Sequence, residues 1–482
     1  MIFLKQNYLI TRDKVLCMRK IVSVLLILAF CIPLSSAFAD STGFTSAVTV
    51  SSPSGNSTIP QLVVSGNDVY IGWIDNAAGK FGAKFAKSND GGSSFGTEVN
   101  LGSIGGAPDN IKIAEFQGKV GAVWQSFSAN RSSIAFAKSS DNGTTFSTPI
   151  RISDVSKDSA FPQVVMYNDN VYVAWIERTT GDVTNVLFVK SGDGGTTFGQ
   201  PIAITSHSGN SGIPKIYANG NHVYLMWEDN GAKNFDVFLS TSSDSGNTFG
   251  SPVNLSGNTG DSGAPQMIVN GNNIYAIWMD DSSGNYDILF SKSTDGGQTF
   301  AKPVNVSETK QDSGYPQLAV VGNNVYVTWT ETVTDKNYDI FFTKSTDGGQ
   351  TFAQPLDISN SPGASGWPQL AVDGNVYVSW VDNTPGNFDV YIVKSTDGGN
   401  TFESPVDVNH GATSSWYNQM SASPNTVYLT WLGSGQHSDV MFSKSTTFVP
   451  EFGPVASLVL VLSIVSIVLI SQRSRLKTSS NL

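Results

Sequence analysis

Apolar and polar positions alternate along most of this chain in short runs, rich in Val, Ile, Tyr and Phe and bounded by Gly, Asn, Asp and Ser. A period of two with β-branched and aromatic residues predicts strands, and the polar boundaries predict tight turns. Between the two ends no long stretch carries the 3.6-residue period of an amphipathic helix. The pattern itself repeats. One Trp recurs as Trp73, Trp124, Trp175, Trp227, Trp278, Trp329, Trp380 and Trp431, with each step 51 residues except one of 52. Self-similarity at such a period marks an array of one supersecondary unit. A typical unit runs Tyr315 to Val320, Asn324 to Trp329, Tyr338 to Ser345, and then a short run equivalent to Pro303 to Val306. Four antiparallel strands per unit make one propeller blade. The expected fold is therefore all-β, an eight-bladed β-propeller over residues 44–448. A six- or seven-bladed ring would leave strands over.

The eighth unit predicts how the ring closes. It ends Lys444-Ser445-Thr446-Thr447-Phe448 and lacks a fourth strand. The segment Phe44 to Ser51 matches Phe300 to Ser307, so the N-terminal strand supplies the missing piece. Closure of this kind removes the exposed edges of an open array. Alternation places Val325, Val327 and Trp329 on one sheet face and Tyr326 on the other. Both faces pack against neighbouring blades, which makes the Trp ladder core rather than a carbohydrate-stacking surface.

The turn after each third strand reads Ser345-Thr346-Asp347-Gly348-Gly349-Gln350-Thr351-Phe352, and its Asp recurs as Asp90, Asp141, Asp193, Asp244, Asp295, Asp347 and Asp397. The carboxylate can accept from N–H groups of its own turn, and Gly supplies the positive φ. This motif resembles the Asp-box (BNR) repeat of sialidases and related propellers, and the resemblance spans roughly residues 44–448. It implies that the seven Asp residues are structural and that any site lies on the opposite face.

The two ends change the picture of where the ring resides. Met18, Arg19 and Lys20 precede an apolar run from Ile21 to Leu34, then Ser35-Ser36-Ala37-Phe38-Ala39. This predicts a signal peptide over residues 1–39, with Met18 as the alternative start and a retained anchor as the competing reading. Both cysteines, Cys17 and Cys31, fall within it, so the mature chain has no disulfide. Val455 to Ile470 is nearly all apolar and is followed by Arg473, Arg475 and Lys477. It predicts one C-terminal transmembrane helix at 455–470 with a basic cytoplasmic tail at 471–482. Just ahead, Pro450-Glu451-Phe452-Gly453 resembles the sorting motif of archaeal PEF-CTERM signals, which implies cleavage and replacement by a lipid. A plain single-span anchor is the other reading. The expected location is the outer face of the cell membrane.

Charge narrows the partners. The chain has 28 Lys and Arg against 39 Asp and Glu. Without residues 1–39 and the tail, 20 basic and 38 acidic residues remain, a net charge of −18. Nucleic acid and anionic lipid are poor partners for such a surface. Glycans or cell-envelope proteins fit better.

Candidate chemistry is sparse. The sialidase resemblance implies three arginines clamping a carboxylate, the first standing two residues before the Pro that opens an inner strand. Those positions hold Thr58, Gly106, Ala160, Gly212, Gly263, Gly314, Gly366 and Trp416, and the ectodomain has only Arg131, Arg151 and Arg178. No catalytic residue is therefore assigned. Acids recur on the same face, at Asp75, Glu177, Asp229, Asp280, Glu331 or Asp382 and at Asp236, Asp287, Asp339, Asp389 or Asp439. Hairpin pairing brings Asp229 to Asp236, Asp280 to Asp287, Glu331 to Asp339 and Asp382 to Asp389, where calcium would compensate the like charges. The alternative is that each acid caps its own loop. His207, His222, His410 and His437 show no ligand spacing, and Asn56, Asn130, Asn142, Asn254 and Asn305 stand in glycosylation sequons. The leading expectation is a non-catalytic surface module binding glycans, proteins or envelope components. The alternative is a sialidase-like or other glycoside hydrolase using acids such as Asp280 or Glu331. Blades two and three, with the arginines, and blade eight, with Trp416, Tyr417 and His437, are the least regular and the first places to look for a site.

Overall fold

The computed structural model describes residues 43–448, apart from 53–54, 77–78, 129–130, 180–182, 207, 232, 335–336, 412 and 425. The expected signal peptide, sorting motif, apolar 455–470 segment and basic tail lie outside the described residues, as do Asn130 and His207. Among the described residues no helix is long and apolar enough to cross a membrane.

Eight four-stranded antiparallel sheets follow one another along the chain, one per repeat. Blade 6 is representative, with strands Ser313–Val321, Asn324–Thr334, Asn337–Ser345 and Leu356–Asp357. The eighth sheet is completed by Val48–Thr49, which pairs with the third strand of that blade through Val48 opposite Phe442 and Thr49 opposite Met441. Backbone bonds from Thr45 to Lys444 (2.9 Å) and from Val50 to Val440 (2.8 Å) extend the seam. The ring closes as the repeat phase predicted.

The core is divided into eight apolar clusters, one at each boundary between blades. Each takes the Tyr face of one blade and the Trp face of the next. Between blades 5 and 6, Tyr275, Ile277 and Phe290 meet Val325, Val327 and Trp329. Between blades 8 and 1, Tyr428, Val440 and Phe442 meet Val69, Ile71 and Trp73. All eight ladder tryptophans are at most 1% exposed. Burying an indole of about 200 Å² at about 25 cal/mol per Å² is worth about 5 kcal/mol, so the ladder dominates the cohesion of the ring.

The Asp turns brace the same boundaries from one end. In blade 5, Asp295 Oδ1 accepts from Ser293 Oγ (2.7 Å) and from the Gln298 and Thr299 amides (3.0 Å each), while Oδ2 accepts from Thr299 Oγ1 (2.6 Å). Ser293 Oγ in turn accepts from the Gly297 amide (2.9 Å). These donors hold the Asp295 carboxyl well below the usual carboxylate range. The Phe ending each turn reaches past its own sheet. Phe352 packs edge-on against Phe290 of the preceding blade, with centroids 5.0 Å apart. Gly349 lies against that same ring at φ +89°, and a Cβ there would sit 2.3 Å from it. Glycine is thus required twice over, by conformation and by the approach of the neighbouring blade. In the truncated eighth unit no Asp turn exists; Phe448 fills the space instead, 5.5 Å from Phe44 and 6.2 Å from Tyr377.

Candidate functional site

On the face opposite the Asp turns, the expected acidic pairs do stand across from one another in the second and third strands. Asp229 faces Asp236, Asp280 faces Asp287, Glu331 faces Asp339 and Asp382 faces Asp389. Their carboxylates accept from hydroxyl and amide donors, except that Glu331 Oε1 is buried without a hydrogen-bond partner. Those of the second strand take a Ser from the start of the first strand or, in blade 4, from the bridge ahead of it: Ser211 on Asp229 (2.6 Å), Ser262 on Asp280 (2.7 Å), Ser313 on Glu331 (2.6 Å) and Ser365 on Asp382 (2.6 Å). Amides of Gly231, Ser282 and Thr384 complete three of them. The third-strand acids take donors from beyond the fourth strand, as with Ser256 on Asp236 (2.9 Å), Ser307 on Asp287 (3.2 Å), Ser359 on Asp339 (3.1 Å) and Asn409 on Asp389 (2.7 Å).

This belt ties the four strands of a blade together, and it does not fit calcium. Apart from Glu331 Oε1, their oxygens accept from hydroxyl and amide protons, and no group of three or more His, Cys, Asp or Glu able to hold a metal occurs among the described residues. The eight acids expected to bind calcium form no such group among the described residues. Asp280 and Glu331, the acids of the hydrolase alternative, are 1% and 3% exposed. Burial pushes the Glu331, Asp339 and Asp389 carboxyls up, while donors from Ser282, Asn258 and Ser262 outweigh burial at Asp280 and hold it down.

The arginines do not form a triad. Arg131 and Arg178 both act on Asp158 of blade 3, and Arg151 lines a cleft of about 650 Å³ that also holds Asp154 and Glu177. His222, His410 and His437 are exposed, His410 lying 3.3 Å from Asp407. Of the described sequons, Asn142 and Asn254 already donate their amide nitrogens to Asp68 and Asp236 (2.8 Å each), Asn305 accepts from Ser307 and Glu308, and Asn56 is exposed.

What the face offers instead is a rim of apolar side chains, of which the sequence reading singled out only Trp416 and Tyr417 of blade 8. In six blades the first strand begins with a bulge, between Gly314 and Gln317 in blade 6 and Gly366 and Gln369 in blade 7. The bulged residue adopts left-handed φ: Asn110 (49°), Phe161 (53°), Ala264 (50°), Tyr315 (52°), Trp367 (52°) and Tyr417 (55°). Such a backbone costs an aromatic residue of order 1 kcal/mol or more. The bulge turns the side chain out of the ladder, and in four of these blades the next residue is a Pro, which brings no N–H needing a partner.

The aromatic members are asymmetric around the ring. Blades 6, 7 and 8 carry Tyr315, Trp367 and Tyr417 in succession, 57%, 40% and 44% exposed. Trp416 packs edge-on to Trp367 (5.9 Å) and lies 4.1 Å from Phe388. A cleft of about 330 Å³ opens between blades 6 and 7, lined by Tyr315, Thr330, Tyr338, Gly366, Trp367 and Phe388. Trp367 and Trp416 are the two tryptophans outside the 51-residue ladder, and that departure was the available signal in the sequence.

No protein-family model matches the chain, and no curated protein sequence matches it. Solved propellers do resemble it. An ulvan lyase of a polysaccharide lyase family is 11% identical with a TM-score of 0.48, over 70% of this chain and 92% of its own. A puromycin-hydrolysing peptidase of Mycobacterium tuberculosis is 12% identical with a TM-score of 0.48, over 85% and 63%. Trypanosoma rangeli sialidase is 14% identical with a TM-score of 0.39, over 76% and 57%. Sialidase and polysaccharide lyase structures are thus among its structural neighbours, each with a TM-score below 0.5.

Proposed function

We propose that this chain is a cell-surface β-propeller of the Asp-box type that binds glycans on the aromatic rim of blades 6 to 8. One observation carries the reading: Tyr315, Trp367 and Tyr417 are held in left-handed backbone with their rings exposed. Selection for stability alone would replace them, and the ring itself shows the replacement, since blade 2 has Asn110 at that position with the same φ. Exposed aromatic rings in an arc present flat apolar faces to the C–H faces of sugar rings, and the tyrosine hydroxyls beside them supply hydrogen bonds. The acidic overall charge argues against nucleic acid. The segment at 1–39 and the apolar segment at 455–470 support export and tethering, by a membrane helix or by a lipid that replaces it.

The test is a glycan array with the full chain, scoring retention and cleavage together. Trp367→Asn is expected to reduce retention by tenfold or more while Tm stays level or rises, because Asn tolerates left-handed φ. Unchanged retention by this variant would sink the rim as the site. Cleavage of any glycoside would turn the reading toward the hydrolase alternative.

A further inference from the structure

Blade 3 breaks the acidic belt. Glu177 stands opposite Ser159, as Asp280 stands opposite Ser262 and Glu331 opposite Ser313. In blades 5 and 6 that Ser donates to the acid. In blade 3 Ser159 Oγ is wholly buried and has no hydrogen-bond partner among the described residues. Side-chain length is not the cause, because Glu331 reaches its Ser at 2.6 Å. Glu177 is 7% exposed, accepts no hydrogen bond among the described residues, and lines the cleft of about 650 Å³ between blades 2 and 3. A buried acceptor left open in this way is unfavourable unless a donor from outside meets it.

The same cleft holds a second departure. Arg151 stands opposite Ala135, at the position filled by Asn100, Asn254, Asn305, Asp357 and Asp407 in five other blades. Those side chains cap the turn that follows, as Asn254 Oδ1 does for the Gly257 amide (2.9 Å). In blade 2 Asp154 caps instead, accepting from the Ser156 amide at 2.8 Å, so residue 151 is released from that duty. Leu187 and Phe198 supply an apolar part of the lining.

We propose that this cleft binds a primary ammonium group at Glu177, carried by an amino sugar or by a small free amine. An ammonium brings three donors and a full charge to a buried carboxylate that its own blade leaves unmet. The lining carries two acids, Asp154 and Glu177, against one guanidinium, which favours a ligand of net positive charge. Burial pushes the Glu177 carboxyl up against the charge of Lys157, with Asp154 adding to the rise, so a cation is the partner it lacks. Asp154 itself is held down by Ser156 and stays ionised. Arg151 orients the ligand. Its guanidinium repels an ammonium and donates to oxygen acceptors, while Asp154 in the same cleft disfavours a carboxylate. An amine that also carries hydroxyls, as an amino sugar does, meets both ends, and this source rests on the reading of the chain as a glycan binder.

Calorimetric titration of the full chain with glucosamine, N-acetylglucosamine and ethylamine at about 0.02 M ionic strength, where screening is weak, tests the site. Wild type is expected to bind glucosamine, and N-acetylglucosamine at least tenfold more weakly because acetylation removes the charge. Glu177→Gln keeps the side-chain shape and is expected to weaken glucosamine binding at least tenfold. Glu177→Asp keeps the charge, recreates the Ser–Asp pair of blades 4, 5 and 7, and withdraws the carboxylate from the cleft. It is expected to raise Tm while weakening binding at least tenfold, which a misfolded variant would not do. Absence of glucosamine binding by wild type, equal affinity for the acetylated sugar, or equal binding by either variant overturns the proposal. The remaining arms separate the sources. Glucosamine binding tighter than ethylamine, with the difference lost in Arg151→Asn, assigns the amine to a sugar. Equal binding of the two, lost in Glu177→Gln, assigns it to a small free amine. Ethylamine binding needs no glycan, so failure of the rim reading leaves the ammonium site standing. Trp367→Asn is expected to keep glucosamine binding, and its loss there would move the site to the rim and overturn the cleft.

Discussion

The two faces of the ring use the same residue types to opposite ends. On the Asp-turn face, seven carboxylates sit in solvent and are held ionised by their own turns, with a Gly and a Phe locked against the next blade. On the other face the carboxylates are buried belt members, several pushed up by burial, while Tyr315, Trp367 and Tyr417 are turned outward in strained backbone. The repeat is nearly invariant where each copy must fit its neighbour. It drifts where a copy meets only water or a ligand. Strain and irregularity, rather than consensus, therefore mark the face on which the glycan site is proposed.

Tryptophan gives the sharpest way to break this contrast. Trp278→Ala at a blade boundary should lower unfolding stability by about 3–5 kcal/mol, while Trp367→Ala on the rim should change it by less than about 1 kcal/mol. Urea denaturation of both variants decides it, and similar losses would show that the rim is core. Glycine repeats the comparison at lower amplitude. Gly349→Ala meets Phe290 at positive φ and should cost about 1–3 kcal/mol, whereas Gly366 has open space around it and Gly366→Ala should be near neutral.

Acid titration gives the smallest effect and separates the carboxylates. The Asp-turn groups have folded values below their unfolded value of about 3.9, so their stabilisation is complete above that pH and is lost as pH falls. Asp141, the least lowered of the seven, has a folded value of about 2, so the loss continues below that pH for the others. Glu331 works in the other direction: its folded value is raised, so its contribution is lost as pH rises through that value. Glu331→Gln is accordingly expected to hold or raise the urea midpoint at pH 7. A fall in that midpoint would show that its ionised form holds the blade together.

The architecture was legible because a propeller blade is short, local and repeated. Trp spacing, period-two alternation and the Asp turns each specify contacts within one blade or with the next, and the missing fourth strand of the last unit named its own replacement at Phe44 to Ser51. The acidic pairs were also placed correctly opposite one another, as with Asp280 and Asp287. Their chemistry was not, because the donors that occupy them, Ser262 from the first strand and Ser307 from beyond the fourth, approach from distant parts of the blade. A sequence shows two like charges meeting but not what else arrives. The rim needed the tertiary structure for a similar reason. A bulge that reverses φ at Trp367 leaves no period of its own in the sequence. Sequence alone determined the ring, since ring formation rests on nearest-neighbour packing; closure of the ring decided which side chains share a site.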